Sequence, residues 1–274
     1  MTELRDRRHI ALDEPPPIDL PAGDVTEGIV RIGDTVRRPH QLQSYAVAAY
    51  LDHLEAVGFA GAPRFLGRDD LGRDVLTFVA GDVAGAEVEP RFRTDELLAS
   101  VARLVSRLHE ASTGYVPSAE PFPQWPVEGT DWELVSHMDV TPQNVTVAGN
   151  QATGLFDFDL ARPTTRLLDG YNTSMHWVPL ADARDLPVGT APADVLRRLR
   201  IFADAIGWTE AERESIPSLG ASAADLSWAR MKERAEQLGG GWARMWARGV
   251  GDVIRRRAAW LRANDEAIVE TLLR

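Results

Sequence analysis

The chain has 274 residues, of which 44% are hydrophobic and none is cysteine. This composition can bury a hydrophobic core, which excludes a disordered chain, and the lack of cysteine excludes disulfides and thiolate chemistry. Acidic side chains outnumber basic ones by 41 to 30, a net charge of −11 that argues against nucleic acid as a partner. No apolar run approaches the ~20 residues that span a bilayer, and residues 1–24, charged and rich in proline, do not read as a secretory signal. We therefore expect a cytoplasmic protein without a membrane partner; the oligomeric state is left open.

The first part of the chain predicts short strands and one helix. Residues 1–24 contain three successive prolines, which favour an extended arm. A strand hairpin is predicted over residues 29–38, because the dipeptide Gly33-Asp34 suits a tight turn. A helix over residues 42–57 and a strand over residues 74–80 follow. These elements predict a small N-terminal lobe of mixed strands and helix, which we place at residues 25–81.

The remainder, residues 82–274, is predicted to form a larger, mainly helical C-terminal lobe. Residues 96–109 carry apolar side chains at a period of 3.6, which is typical of a half-buried helix. Two short strands joined by Gly149-Asn150 are expected within residues 144–156, and helices dominate from about residue 193. The fold class predicted from this order is α+β.

The chemistry is concentrated in two short segments. His137-Met138-Asp139 is followed by Asn144, and Asp157 comes thirteen residues after Asn144, behind an apolar strand. Phosphoryl transfer needs a carboxylate beside the attacking hydroxyl, and oxygen ligands that hold Mg²⁺ against the phosphates. Asp139, Asn144 and Asp157 supply those groups in that order. Each alone would more often form a turn, but their joint occurrence favours a functional site, because the predicted hairpin returns Asp157 towards Asn144.

These segments resemble the aminoglycoside phosphotransferase family, which is related to protein kinases and choline kinases. That family carries His-x-Asp-x-x-x-x-Asn followed by Asp-Phe-Gly or a close variant. The resemblance implies a bilobal protein-kinase-like fold with a small β-rich N-lobe and a larger helical C-lobe. It also implies that Asp139 is the catalytic base, that Asn144 and Asp157 bind Mg²⁺, that His137 braces the loop, and that Asp169 is structural.

The resemblance continues into the N-terminal lobe. Residues 33–39, 61–67 and 75–81 look like the family's strands and hinge. This resemblance implies that ATP or GTP binds beneath these strands, with the base against the hinge near Phe78 and Val79.

Three features depart from the family pattern. The strand lysine that grips the nucleotide phosphates is absent, so Arg37 or Arg38 must replace it. Strand alternation lets only one of them face the cleft, and we favour Arg37 from its position in Thr-Val-Arg. The following helix shows no early glutamate to pair with that cation. Asp159 replaces the glycine of Asp-Phe-Gly, where it would stiffen the turn and add a metal contact or a local hydrogen bond.

The implied activity is transfer of the γ-phosphate of ATP or GTP to a hydroxyl of a small molecule, an antibiotic-like or amino-sugar compound, with Mg²⁺. Residues 118–140 carry five acidic and no basic side chains, which favours a cationic acceptor if they line the cleft. An ordinary solvated acidic loop explains them equally well. Two alternatives stay open: a kinase-like binding or immunity protein without transfer, and a Ser/Thr peptide kinase in natural-product biosynthesis.

Overall fold

The N-terminal part of the fold is an antiparallel sheet with one helix against it. The computed structural model describes residues 15–20, 28–85, 88–117, 122 and 132–274. In this part of the chain, the sheet has the strand order β1-β2-β3-β5-β4. Its strands are β1 (Ile18–Asp19), β2 (Val30–Ile32), β3 (Thr35–Arg38), β4 (Phe65–Arg68) and β5 (Asp74–Thr77).

The predicted hairpin is present as β2 and β3, and Gly33 turns between them with a φ of +59°. Positive φ is readily accessible to glycine, which explains why this residue suits the turn. Within the predicted arm, Ile18–Asp19 pairs with β2 and so extends the sheet by a short edge strand. The rest of the arm, residues 1–14 and 21–24, lies outside the described residues.

Helix α1 (Ser44–Ala56) joins this sheet to the rest of the molecule. Its Tyr50 side chain is fully buried, and the phenol donates to the carbonyl of Val135 at 2.9 Å. The same phenol lies 2.6 Å from the hydroxyl of Ser112. A buried phenol needs such partners, so these bonds fix α1 against the C-terminal part.

The C-terminal part is mainly helical, as predicted, and the α+β fold class is confirmed. Its helices are α2 (Asp95–Ala111), α3 (Arg166–Trp177), α4 (Pro192–Ile206), α5 (Glu210–Gln237), α6 (Gly240–Ala247), α7 (Val250–Ala263) and α8 (Asp265–Leu273). Two small sheets complete it, one of β6 (Asp82–Val83), β8 (Val145–Ala148) and β9 (Gln151–Leu155), the other of β7 (Leu134–Ser136) and β10 (Arg162–Thr164). No helix in the described ranges is long and apolar enough to cross a membrane.

Helix α2 forms the centre of the core. Thr94 caps its first turn by accepting a hydrogen bond from the amide of Leu97. Its inward stripe is almost fully buried and consists of Leu97, Leu98, Val101, Leu104, Val105 and Leu108. Burying one leucine side chain stabilises a fold by about 1.5–3 kcal/mol, so this stripe is a rigid base for β8 and β9. Those strands lead directly into the segments that the sequence singled out.

Candidate active site

The loop between β7 and β8, residues 137–144, is called the motif loop below. The side-chain nitrogen of Asn144 donates to the carboxylate of Asp139 at 2.8 Å and to its backbone carbonyl at 2.9 Å. Asp139 and Asn144 are therefore in direct contact within the motif loop. Because the amide nitrogen is committed to Asp139, the amide oxygen of Asn144 is the atom that can bind a metal.

His137 connects the motif loop to the segment that carries Asp157. Its Nε2 donates to the carbonyl of Phe156 at 2.9 Å, and its Nδ1 accepts from the amide of Asp139 at 3.2 Å. Burial lowers the pKa of His137, because it disfavours the charged ring, and the backbone hydrogen bonds only partly oppose this. A neutral ring with both nitrogens bonded is a brace. The amide of Phe156 also donates to the carbonyl of Asn144, so Asp157 lies one residue from this junction.

Asp169, on α3, holds the backbone of the motif loop through a hydrogen bond to Met138. Its carboxylate is fully buried and accepts from the amide of Met138 at 3.0 Å. The other carboxylate oxygen accepts from Ser136 and His109, both at 2.8 Å. Burial alone would raise the pKa of Asp169, but the hydrogen bond and charge from His109, with the Ser136 bond, lower it below its usual value.

Two residues of the site have strained backbones. Met138 and Asp157 are the non-glycine residues with positive φ in the described chain, at 60° and 62°. Such conformations cost of order 1–3 kcal/mol each and persist only where surrounding contacts impose them. The carboxylate of Asp169 provides one of these contacts for Met138. The turn at Asp157 leaves that side chain 32% exposed just beyond the end of β9.

The preference for Arg37 over Arg38 is wrong. Arg37 is 1% exposed, and its guanidinium donates to the Thr35 hydroxyl and lies 3.7 Å from the Asp69 carboxylate. Arg38 instead points towards Asp157. The two arginines alternate across β3 as expected, but β3 pairs with β5 in the register that turns Arg38 to the site.

Arg38 bridges both carboxylates of the Asp-Phe-Asp turn. Its guanidinium lies 3.3 Å from the Asp157 carboxylate and forms a closer contact with Asp159. Burial tends to lower the pKa of Arg38, but the charges of Asp159 and Asp157 outweigh burial and raise it. The guanidinium is therefore a fixed positive charge at the edge of the site.

A pocket that is open to solvent, called the α1 pocket below, lies beside this ion pair. Its wall on α1 consists of Ser44, Val47, Ala48 and Leu51, none of which is acidic. The sheet and the Asp-Phe-Asp turn provide the remaining lining: Arg38, Pro63, Phe65, Asp74, Leu76, Asp157, Phe158 and Asp159. Helix α1 therefore places no glutamate in this pocket, which agrees with the absence of an early helix glutamate from the sequence.

The predicted hinge follows β5 and packs against β9. A Cβ atom built on Gly154 would lie 2.6 Å from the Val79 side chain, so only glycine lets the hinge approach β9 this closely. The guanidinium carbon of Arg31 stacks 3.7 Å above the Phe78 ring, and the Phe78 amide donates to the carbonyl of Asp34. The role of Phe78 and Val79 in binding a nucleotide base stays a prediction.

The oxygen donors suit a magnesium ion that is shared with phosphates. No cluster of three or more His, Asp or Glu side chains suited to a metal occurs among the described residues. Mg²⁺ is usually held by one or two protein carboxylates together with phosphates and water, rather than by a complete protein cage. Asp157 and the amide oxygen of Asn144 fit that kind of site.

Sequence reasoning missed several groups that hold the motif loop. Asn172 donates to the carbonyl of Met138 at 2.7 Å, and Trp177 donates to the carbonyl of Val140 at 2.9 Å. Ser136 and His109 hold Asp169 as described above. These partners are separated by about thirty residues or more along the chain, and no local pattern marks them. Only the adjacent Ser136, next to the motif, could have been suspected.

The surroundings of Asp139 also include positive charge. Burial lowers the pKa of Arg162 to about 10, and Arg230 and Arg234 add to the shift, while Asp169 and Asp139 oppose it. The acidic segment that favoured a cationic acceptor falls largely outside the described residues, at 118–121 and 123–131. Glu133, which is described, accepts from the Arg166 amide at 3.3 Å.

Solved structures of small-molecule kinases share this architecture. A choline/ethanolamine kinase family protein from Mesorhizobium loti is 15% identical, with 93% of this chain and 88% of that chain covered at a TM-score of 0.56. The chain has the protein-kinase-like phosphotransferase fold. An amicoumacin kinase in complex with AMP-PNP, Ca²⁺ and Ami matches 88% of this chain and 87% of its own, at 10% identity and a TM-score of 0.60. The GDP complex of aminoglycoside 2'-phosphotransferase-IIIa matches 93% of this chain and 94% of its own, at 12% identity and a TM-score of 0.55.

Sequence comparison gives a different kind of relative. No family model matches the sequence. A trifolitoxin immunity protein from Rhizobium leguminosarum bv. trifolii is 30% identical over 146 residues, which are 49% of this chain. The matched region spans about half, 52%, of that protein's length.

Proposed function

We propose that the protein is a Mg²⁺-dependent phosphotransferase that moves the γ-phosphate of ATP or GTP to a hydroxyl group of a small molecule. The observation that carries this proposal is the bond between Asn144 and Asp139, beside the Asp157 turn, within a phosphotransferase fold. In this arrangement the Asp139 carboxylate lies beside the Asn144 amide, whose oxygen would bind the metal, and Asp157 follows directly after Phe156, which contacts Asn144. Cytoplasmic location, where nucleoside triphosphates are available, is part of the proposal.

Asp139 is the base in this proposal. The acceptor oxygen attacks the γ-phosphorus as the bond to the bridging oxygen of the leaving diphosphate breaks, and the hydroxyl proton passes to the Asp139 carboxylate. Asn144 fixes the orientation of that carboxylate through its side-chain nitrogen. His137 and Asp169 keep the loop in position, and neither exchanges a proton with the acceptor.

Asp157 and Asn144 would hold the metal. When bound, Mg²⁺ neutralises phosphate charge and orients the phosphate chain. Arg38 adds a guanidinium on the same side, and its planar group can donate to two phosphate oxygens. Phe78 and Val79 mark the hinge against which the base would lie. In the solved relatives, AMP-PNP and GDP are named as ligands, which supports a nucleotide.

The acceptor is proposed to be a small molecule with a free hydroxyl. Solved structures of this fold include a complex of gentamicin with APH(2")-IIa and an amicoumacin kinase, which supports an antibiotic-like acceptor. The acidic composition of residues 118–140 favours a cationic acceptor, whereas Arg162, which lies near Asp139 and beside Arg230 and Arg234, favours a negatively charged one. The acceptor panel should therefore contain cationic amino sugars, neutral nucleosides, carboxylate-bearing compounds and Ser/Thr peptides.

Transfer of labelled γ-phosphate from ATP and GTP across this panel tests the proposal. We expect one acceptor class to be labelled by the wild type and not by Asp139→Asn. Asp225→Asn, an exposed change on α5 beside Arg262, is the matched control and should keep full transfer. Transfer at wild-type rate by Asp139→Asn would contradict the role of Asp139. Labelling of peptides alone would favour the peptide-kinase alternative.

A second candidate function is sequestration of a toxic compound. The sequence match to a trifolitoxin immunity protein favours it, as does the α1 wall without a carboxylate. In that case the cleft would bind the compound without modifying it. The comparison is made in a sensitive host that expresses wild type or Asp139→Asn. Protection by both supports sequestration, and protection by the wild type alone supports transfer.

A further inference from the structure

Arg38 contacts the carboxylates of both Asp157 and Asp159, and these contacts indicate a role for Asp159. Arg38 is 9% exposed, so its charge must be balanced by nearby carboxylates. Asp157 lies 3.3 Å from one guanidinium nitrogen, and Asp159 makes the closer contact to the other. Asp159 is also the less exposed partner, at 20% against 32% for Asp157.

Helix α1 provides no alternative partner for Arg38. Its residues in the α1 pocket are apolar apart from Ser44. Asp74, the remaining carboxylate in the pocket wall, lies opposite Arg38 on β5. Its oxygens contact Ser44 and the Nδ1 of His40, the latter at 2.8 Å, and Arg68 lies 3.6 Å away. The carboxylates that contact Arg38 therefore come from the Asp-Phe-Asp turn.

These contacts indicate different roles for Asp157 and Asp159. If Asp157 alone balanced Arg38, the guanidinium would compete with any divalent cation for that carboxylate. Because Asp159 makes the closer contact, it holds the guanidinium more firmly, and Asp157 keeps the longer contact. We propose that Asp159 is a positioning residue: it anchors Arg38 and keeps the Asp157 carboxylate available for the metal–nucleotide complex. This rests on the proposed function, because it assumes that Asp157 binds the metal.

The anchor is tested first without nucleotide. Thermal unfolding is compared for wild type, Asp159→Asn, Arg38→Met and the double variant Arg38→Met/Asp159→Asn. If Asp159 holds Arg38, each single change lowers Tm, and the double change lowers it by clearly less than the sum. Additive losses would overturn the anchor. If Asp159→Asn fails to fold while the double variant folds, that rescue shows the same coupling.

The second test is the Mg²⁺ concentration that gives half-maximal binding of ADP, measured by calorimetry. In Asp159→Asn, Arg38 competes for Asp157, so this concentration should rise about tenfold, equivalent to ~1.4 kcal/mol. In the Arg38→Met background the competitor is absent, so adding Asp159→Asn should leave the Mg²⁺ requirement at the value of Arg38→Met alone. Asp159→Glu, which keeps the charge, should remain closer to wild type than Asp159→Asn. A merely structural role would lower stability without this pattern.

The two proposals fail in different ways. An unchanged Mg²⁺ requirement in Asp159→Asn, beside a wild type that binds ADP with Mg²⁺, overturns the role of Asp159 alone. A wild type that binds no nucleotide, in a protein whose unfolding shows the Arg38–Asp159 coupling, overturns the proposed function and the metal role while the anchor stands. Asp225→Asn, an exposed change in the pair that Asp225 of α5 forms with Arg262 of α7, should leave both measurements unchanged.

Discussion

The motif loop and strand β3 both contribute to the candidate site, but they differ in how firmly their side chains are placed. In the motif loop, Asp139 and Asn144 bond to each other, and His137 and Asp169 tie the backbone to two other elements. On β3 the site is served by Arg38, whose position depends on carboxylates about 120 residues further along the chain. The comparison shows that the contact between Asp139 and Asn144 forms within the motif loop itself, whereas the position of Arg38 depends on the turn at Asp157.

The largest effect should come from the loop, through Asp139→Asn. Removing the base should lower phosphoryl transfer by about 10²- to 10⁴-fold, because proton acceptance contributes a factor of that size. Nucleotide binding and Tm should change little, since the side chain keeps its shape and is half-buried. Steady-state transfer and calorimetry on one preparation measure both. A loss of nucleotide binding equal to the loss of transfer would contradict the assignment.

The second largest effect should come from Asp169→Ala, which removes the carboxylate that supports the motif loop. The change leaves the amide of Met138 and the donors of Ser136 and His109 without their buried acceptor, at a cost of about 3–5 kcal/mol in unfolding free energy. Urea denaturation measures this cost. The matched control is Asp82→Ala, which removes an exposed carboxylate that pairs with Arg91 and should stay within about 0.5 kcal/mol of wild type. Equal losses in the two variants would show that Asp169 does not hold the loop.

On the strand, Arg38→Met and Arg37→Met should separate ligand binding from stability. Arg38 faces Asp157, so its loss should weaken binding of the Mg²⁺–ADP complex by about tenfold, a contribution of ~1.4 kcal/mol. Arg37 is buried against Thr35 and Asp69, so its loss should lower Tm and leave ADP affinity near the wild-type value. Calorimetry and thermal unfolding of both variants decide the point. The reverse pattern would restore Arg37 as the residue that serves the cleft.

The smallest effect is a pH dependence that belongs to His137. Burial lowers its folded pKa below the usual value of ~6.5, so the folded state binds fewer protons than the unfolded chain below that pH. Stability should be full above ~6.5 and fall as the pH drops towards the folded value, by at most ~1.4 kcal/mol per pH unit. His137→Gln should reduce this slope in urea denaturation between pH 7 and 5, and a further part of the slope belongs to His176, whose pKa burial lowers to about 4. Asp169, whose folded pKa is also lowered, contributes stability above ~3.9 that is lost only at more acid pH.

The regularities of the sequence predicted much of the fold. Gly33-Asp34 marked the first hairpin, Gly149-Asn150 marked the turn between β8 and β9, and the apolar stripe marked α2. These signals are local, because turn chemistry and helical period act over a few residues. The exact boundary between the lobes, at residues 81 and 82, stays a prediction.

What the sequence could not show depends on contacts between distant segments. Adjacent arginines on one strand give no alternation signal, so only the pairing of β3 with β5 decides which one faces the site. Asp159 could be noticed as a replaced glycine, but its partner Arg38 lies 121 residues earlier. The partners of Asp169 are distant in the same way, whereas Asp139, Asn144 and Asp157 could be proposed together because their spacing is fixed within one loop and one hairpin.

Binding of ADP to wild type and to Asp157→Asn, titrated by calorimetry with and without Mg²⁺, tests most directly whether these oxygen donors converge on one metal. The account predicts that Mg²⁺ strengthens binding to the wild type at least tenfold, and that Asp157→Asn loses this gain while its Mg²⁺-free binding is unchanged or stronger. Equal binding to the wild type with and without Mg²⁺, or an undiminished Mg²⁺ effect in Asp157→Asn, would contradict it.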